Sequence, residues 1–146
     1  MSQGKKSTAA DARILLVEDD PGIRRFLELV VGRGGFIFDS AVDGAEALRL
    51  LKKNSYDLML LDLMLPRFSG FEVIAALRKM KARPAVIVVT SNEANDLDPE
   101  IIASIVRKPF DLTELMTLVT ETALAAARRR QRTRRKRGVQ ERRQQL

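Results

Sequence analysis

Three short runs of apolar residues constrain the fold of this chain more than any other feature of its sequence. They are Ile14–Val17, Leu58–Leu61 and Ala85–Val89. Nearly every residue in each run is apolar, which is the pattern of a strand in a parallel sheet that carries helices on both faces. Two weaker segments predict an edge strand at Phe36–Phe38 and a short fifth strand at Ile105-Val106.

Segments with the spacing of amphipathic helices lie between these strands. Their apolar residues recur at intervals of three and four in segments 23–31, 73–80 and 112–119, and a shorter helix is predicted from about Gly44 to Lys53. Asp20 precedes Pro21 as a cap, and capping boxes begin at Asp43, Ser69 and Asp111. The order strand–helix, repeated about five times, predicts an α/β fold with a doubly wound parallel sheet and right-handed crossovers.

Charge is divided unevenly along the chain. The net charge is +7, but segment 128–146 holds ten lysines and arginines against one glutamate. The remaining residues carry 16 basic and 18 acidic side chains, so this body is mildly acidic and the basic character belongs to a tail. The apolar stripe stops after Ala127, so we expect the tail to be solvated, with a contact to nucleic acid, an anionic surface or an acidic protein as the functional alternative.

Composition excludes several classes of function. The chain has no cysteine and no histidine, which rules out disulfides, thiolate or imidazole metal sites and Ser-His-Asp chemistry. No apolar run approaches the length of a membrane span, and the polar N-terminus lacks the apolar core of a secretory signal. We therefore expect a cytoplasmic protein with a disordered lead at residues 1–11.

Polar residues follow the predicted strands on the edge where ligands bind in open α/β sheets. Glu18 and Asp19 follow the first strand, Asp62 the third, Thr90 the fourth and Lys108 the fifth. Crowded carboxylates repel one another, and a hard divalent cation with oxygen ligands, such as Mg²⁺, relieves that repulsion. With a lysine also present, one ionised carboxylate can attack a phosphoryl group and form an acyl phosphate, to which a threonine hydroxyl can donate a hydrogen bond.

Four motifs in this order resemble the receiver domain of bacterial response regulators. They are ILLVEDD at 14–20, YDLMLLDLMLP at 56–66, VIVVT at 86–90 and KPF at 108–110. The resemblance covers roughly Ala12 to Ala127 and implies a five-stranded, flavodoxin-like receiver fold with strand order 2-1-3-4-5. It divides the chain into the lead at 1–11, a receiver domain at 12–127 and the basic tail at 128–146.

The same resemblance implies a role for each matched residue. Asp62 would accept the phosphoryl group, Thr90 would sense it and Lys108 would pair with it. The implied Mg²⁺ ligands are Asp19, Asp62 and the backbone carbonyl of Met64, with Glu18 assisting through water. Pro109 would follow a cis peptide bond. The implied function is that of a receiver in a phosphorelay, which is not an enzyme beyond catalysing its own phosphorylation and slow dephosphorylation.

The implied partners are a sensor histidine kinase or phosphotransfer protein and a downstream protein target, with a polyanion contact through residues 128–143 and no membrane span. Two departures from the family pattern affect the output face: Ile105 replaces the usual aromatic residue, and the short segment between Thr90 and Lys108 predicts a small fourth helix. They leave open a second function, a receiver-fold scaffold that binds a partner without phosphorylation. A phosphohydrolase is disfavoured because Met64 stands where such an enzyme needs a second aspartate.

Overall fold

A five-stranded parallel sheet forms the centre of the protein in a computed structural model, which describes residues 9–91 and 96–145. The strands are β1 (Arg13–Val17), β2 (Ile37–Ala41), β3 (Leu58–Leu61), β4 (Ala85–Thr90) and β5 (Ile102–Arg107). The helices are α1 (Pro21–Arg33), α2 (Gly44–Lys53), α3 (Gly70–Leu77) and α4 (Leu112–Gln144). The strand order is β2-β1-β3-β4-β5, so both the predicted fold class and the edge position of β2 are confirmed.

Alternate residues of the central strands pack into two separate cores. Leu15, Met59 and Val88 face the side covered by α2 and α3. Ile14 and Leu58 face the opposite side, against α1 and α4. This two-sided burial is why the three central strands are apolar apart from Arg13 at the start of β1 and Thr90 at the end of β4, since neither face is left for polar side chains.

The predicted helix caps are all present. The side chains of Asp20, Asp43, Ser69 and Asp111 each accept a hydrogen bond from the backbone amide three residues further on. These bonds satisfy amides that have no partner within the helix and fix the point at which the chain turns from strand edge to helix. All four caps lie on connections that leave the carboxyl ends of strands. They therefore help to fix the positions of the polar residues at this edge of the sheet.

The predicted fourth crossover helix is not found in the part of the chain that the structure describes. Between β4 and β5, the described residues 91 and 96–101 form bends and turns. The connection spans only residues 91–101, close to the minimum that a βαβ crossover with its own helix requires. Ile105, whose neighbour across the ladder is the buried Val88, is 44% exposed.

The basic segment continues the last helix, and most of its side chains are exposed, as expected of a solvated extension; Arg130, which pairs with Asp57, is an exception. Helix α4 runs for 33 residues and crosses position 127 without a break. Its first half is anchored by Leu115, Val119, Ala123 and Ala127, which are buried at intervals of four. Extending a helix that is already formed is far easier than starting one, and arginine favours helix, so the basic residues continue it.

Two further differences concern the chain ends. Ala9–Asp11, which we expected to be part of a disordered lead, form a single 3-10 turn, and residues 1–8 lie outside the described part. Arg130, in the predicted tail, donates a 2.6 Å hydrogen bond to the Asp11 carbonyl. None of the described helices combines the length and hydropathy that a membrane span requires.

Candidate functional site at the carboxyl edge of the sheet

Three carboxylates meet where β1 and β3 end. One oxygen from each of Glu18, Asp19 and Asp62 lies within 4.8 Å of the other two. Glu18 and Asp62 are buried, whereas Asp19 is exposed to solvent. Parallel pairing of β1 with β3 produces this cluster, because Val17 and Leu61 are ladder partners and the acids follow them directly.

Lys108 joins the cluster from the end of β5. Its Nζ lies 2.7 Å from Oε1 of Glu18 and 3.3 Å from Oδ2 of Asp62. The Lys108 backbone amide donates to the carbonyl of Thr90, which holds the lysine beside the end of β4. The peptide bond between Lys108 and Pro109 is cis, as the resemblance implied.

The electrostatics of the cluster follow from this packing. Burial, together with the neighbouring Asp62, raises the pKa of Glu18 from its ordinary value of 4.5 to about 7, although Lys108 acts in the opposite direction. Burial would lower the pKa of Lys108, but its hydrogen bonds and ion pairs with Glu18 and Asp62 raise it above its ordinary value. The lysine therefore stays charged, and it is shared between two carboxylates.

One oxygen in the cluster suits a bound cation. Oε2 of Glu18 is buried, and no donor in the described part of the chain bonds to it. An unpaired buried carboxylate oxygen is costly, and a metal ion is one of the few groups that can satisfy it. The donor set consists only of oxygens, which are the ligands that Mg²⁺ prefers, so Glu18, Asp19 and Asp62 fit this ion.

The other predicted site residues lie close to the cluster in the chain. The Met64 amide donates a 3.0 Å hydrogen bond to Oδ1 of Asp62, which orients that carboxylate, and the Met64 side chain is 58% exposed. The role of the Met64 backbone carbonyl as a metal ligand stays a prediction. Thr90 is fully buried as the last residue of β4. The roles of Thr90 and Lys108 toward a phosphoryl group also stay predictions.

Two glycines that sequence reasoning passed over let the chain close around Asp62. A Cβ on Gly70 would lie 2.5 Å from the Asp62 carbonyl oxygen and 2.6 Å from the Leu63 Cα. A Cβ on Gly44 would overlap the backbone of Phe68, in the connection between β3 and α3 that also contains Asp62. The sequence feature that could have identified them is a glycine at the first position of a helix in two of the capping boxes, because most other residues are better helix formers there.

An open α/β sheet with a polar cluster at the carboxyl ends of its strands defines the class of doubly wound α/β proteins, which bind their ligands at this edge. Within that class, residues 14–120 match the model of the response regulator receiver domain, and the chain belongs to this family. It is therefore a receiver domain of two-component systems.

Curated relatives match the receiver part of the chain. The response regulator ArlR of Staphylococcus saprophyticus is 36% identical over 111 residues, which are 73% of this chain and 50% of that protein. ArlR of Staphylococcus aureus is 35% identical over the same shares. The chain thus spans about half the length of the curated relatives it matches.

Solved structures show the same architecture. TrrA from Thermotoga maritima, solved in complex with Mg²⁺-BeF, aligns with a TM-score of 0.69 and 34% identity, covering 76% of this chain and 98% of that one. The receiver domain of Francisella response regulator 1452 aligns with a TM-score of 0.70 and 28% identity, covering 77% and 96%.

Proposed function

We propose that this receiver accepts a phosphoryl group on Asp62 from a sensor histidine kinase or a phosphotransfer protein, with Mg²⁺ bound, and thereby changes its affinity for a downstream protein. The observation that carries the proposal is the position of the Lys108 ammonium between Glu18 and Asp62. Such an arrangement places a positive charge beside Asp62, where phosphoryl oxygens would arrive.

The chemistry follows from the residues present. An oxygen of Asp62 forms a bond to phosphorus while the bond between phosphorus and the donor nitrogen of a phosphohistidine breaks, and the electron pair of that bond leaves with the imidazole. Lys108 can exchange its contact with Asp62 for one with a phosphoryl oxygen, and Thr90 donates a hydrogen bond to another. Bound Mg²⁺, held by Glu18, Asp19, Asp62 and the Met64 carbonyl, would supply neutralising charge. The presence of Mg²⁺-BeF in the TrrA structure supports this choice of ion.

The same residues set the limits of the activity. We infer no turnover on other substrates: the chain would catalyse only its own phosphorylation and the slow loss of the phosphoryl group. The cytoplasm is the expected location, because that is where a kinase would transfer phosphate to it. The polyanion contact of residues 128–143 stays a prediction.

One observation favours a second function, a receiver-fold scaffold that binds its partner without phosphorylation. Ile105 stands at the position of the usual switch aromatic, is 44% exposed, and has no described helix beside it. A face without its usual aromatic residue could contact a partner whether or not Asp62 is modified.

Mass spectrometry separates the two functions. The protein is incubated with acetyl phosphate and Mg²⁺, and an increase of one phosphate per chain is expected. Asp62→Asn should abolish the increase, whereas Asp20→Asn, a nearby carboxylate outside the cluster, should preserve it. Unmodified wild-type protein would overturn the proposal in favour of the scaffold. Continued modification of Asp62→Asn would overturn the assignment of Asp62.

A further inference from the structure

We propose that the end of the protein opposite Asp62 carries a binding groove for the phosphodiester backbone of duplex nucleic acid. The groove is formed jointly by the receiver domain and the basic half of α4. This inference goes beyond the proposed phosphorylation and does not depend on it, because Asp57 and Asp62 are separated by the whole length of β3.

The groove has a volume of about 580 Å³ and lies at the amino ends of β3 and β4. One wall consists of the segments that lead into these strands, residues 54–57 and 80–85. The other wall is one face of α4, whose contributing residues recur at intervals of three and four from Ala126 to Arg137. Neither wall would form the groove alone.

A part-buried ion pair between Arg130 and Asp57 holds the two walls together. Nε of Arg130 lies 2.9 Å from Oδ1 of Asp57, and Nη2 lies 3.2 Å from Oδ2. The Asp57 side chain is only 4% exposed and also accepts a hydrogen bond from the Arg13 amide. A two-point guanidinium–carboxylate contact of this kind fixes direction as well as distance, so the helix leaves the domain along a defined path.

The groove is strongly positive. Arg130 neutralises Asp57, the one acidic residue in the lining. Five other basic residues line the groove, all exposed and none forming an ion pair in the described part of the chain: Lys81, Arg83, Arg129, Arg134 and Arg137. Lys81 and Arg83 belong to a domain whose remaining residues are mildly acidic overall, so their position opposite the arginines is a local concentration of charge.

The chemistry of the surface favours phosphate over other anions. Nine of the ten basic residues in segment 128–146 are arginines, whose planar forks match phosphate oxygens. Val139 is the one aliphatic residue between positions 128 and 145, so the basic half of α4 lacks the apolar face that a membrane-bound helix inserts. The same segment has no aromatic residue on which unpaired bases could stack, which favours a duplex over a single strand.

Repulsion between like charges along α4 is a second reason to expect a polyanion in the groove. Arg134 and Arg137, which both line the groove, are three residues apart on the same helix face, where they repel each other. A polyanion relieves this repulsion and releases its own counterions, so binding should weaken steeply as salt increases.

The test compares paired charge removals at matched positions. Binding of a mixed-sequence labelled duplex of about 20 base pairs is measured by fluorescence anisotropy between about 50 and 200 mM salt. Lys81→Gln with Arg83→Gln removes two charges from the domain wall. Arg25→Gln with Arg33→Gln, both exposed on α1, removes two charges outside the groove.

On the helix, Arg134→Gln with Arg137→Gln is matched by Arg132→Gln with Arg135→Gln, which do not line the groove. Each groove pair should weaken binding and reduce the salt slope by about one to two units, and more than its matched pair does. Asp62→Asn should bind as wild type. If the variant with both domain-wall substitutions binds the duplex as tightly as the variant with both α1 substitutions, the groove proposal is wrong.

Three further outcomes would also overturn the proposal. These are equal losses from the two helix pairs, absence of wild-type binding at the lowest salt, and binding of poly-glutamate or phosphatidylglycerol vesicles as tight as that of the duplex. Loss of duplex binding in Asp62→Asn would contradict the separation of the groove from the phosphorylation site, whereas failure of Asp62 to accept phosphate would leave the groove unaffected.

Discussion

The ammonium of Lys108 lies 2.7 Å from Oε1 of Glu18, although ninety positions separate the two residues in the chain. The contact exists because β1 and β5 end at the same edge of a parallel sheet. It places a charged lysine beside a glutamate whose second oxygen has no hydrogen-bond donor among the residues that the structure describes, and both lie against Asp62.

The pH dependence of stability should report the environment of Glu18. Its pKa is raised from 4.5 to about 7, so the folded protein holds this proton more tightly than the unfolded chain does. The stabilising contribution is fully present below pH 4.5 and is lost as pH rises through about 7. The free energy of unfolding of metal-free protein should therefore fall by on the order of 1–3 kcal/mol over this range. Chemical denaturation at a series of pH values measures this fall in the free energy of unfolding, and the Glu18→Gln variant should not show it.

Removing the exposed acid of the cluster should weaken magnesium binding. Asp19→Asn eliminates one charged ligand, and we expect the Mg²⁺ affinity to fall by about tenfold or more, equivalent to about 1.4 kcal/mol. The rise in melting temperature produced by Mg²⁺ should shrink accordingly. Asp20→Asn is the matched control, because asparagine can still cap α1 and Asp20 lies outside the cluster. A full magnesium shift in Asp19→Asn would show that Asp19 is not a ligand.

The exposed Met64 side chain should make the acyl phosphate persistent. Met64 lies two residues after Asp62 and, being apolar, cannot orient a water molecule for attack. Met64→Asn supplies a group that can, so hydrolysis should accelerate at least several-fold. The decay of the phosphorylated mass after removal of the donor measures the rate. Met64→Leu serves as control, and equal decay in the two variants would contradict the explanation.

Gly70 should not tolerate a side chain. A methyl group there would press on the backbone of Asp62 and Leu63, which cannot move without displacing the Asp62 carboxylate. We expect Gly70→Ala to destabilise the domain by about 1–3 kcal/mol and to slow phosphorylation. Gly138→Ala tests the effect of the substitution itself, because only the end of Arg142 lies near that position, at 4.0 Å. Equal changes in melting temperature for Gly70→Ala and Gly138→Ala would contradict this explanation.

Tyr56 can be titrated individually because it is the one tyrosine and the chain has no tryptophan. Burial and the adjacent Asp39, which accepts a 2.6 Å hydrogen bond from the phenol, raise its pKa from 10.0 to about 12. The protonated phenol thus stabilises the fold below pH 10, and this contribution is lost as pH rises through 12. Tyrosinate absorbance should appear near the higher value and shift downward in Asp39→Asn. A transition near pH 10 in the folded wild type would refute this.

Much of the fold and of the candidate site could be predicted from local pattern. The continuous apolar character of β1, β3 and β4 indicated burial on both faces, and four capping residues marked the starts of helices. Since parallel strands place their carboxyl ends on one edge, the sequence assigns the acids and Lys108 to one site. The family resemblance then assigned them roles.

Other features depended on distances that local pattern does not encode. The overlap that a Cβ on Gly44 or Gly70 would cause, and the unpaired oxygen of Glu18, arise only when separate elements pack together. The basic segment showed no apolar stripe, yet its helix is propagated from the packed half of α4 and is fastened by Arg130 to Asp57. Sequence determined which residues could form strands, caps and a site, because those depend on neighbours in the chain. Tertiary structure decided which distant charges meet, because that depends on where the sheet brings its strand ends together.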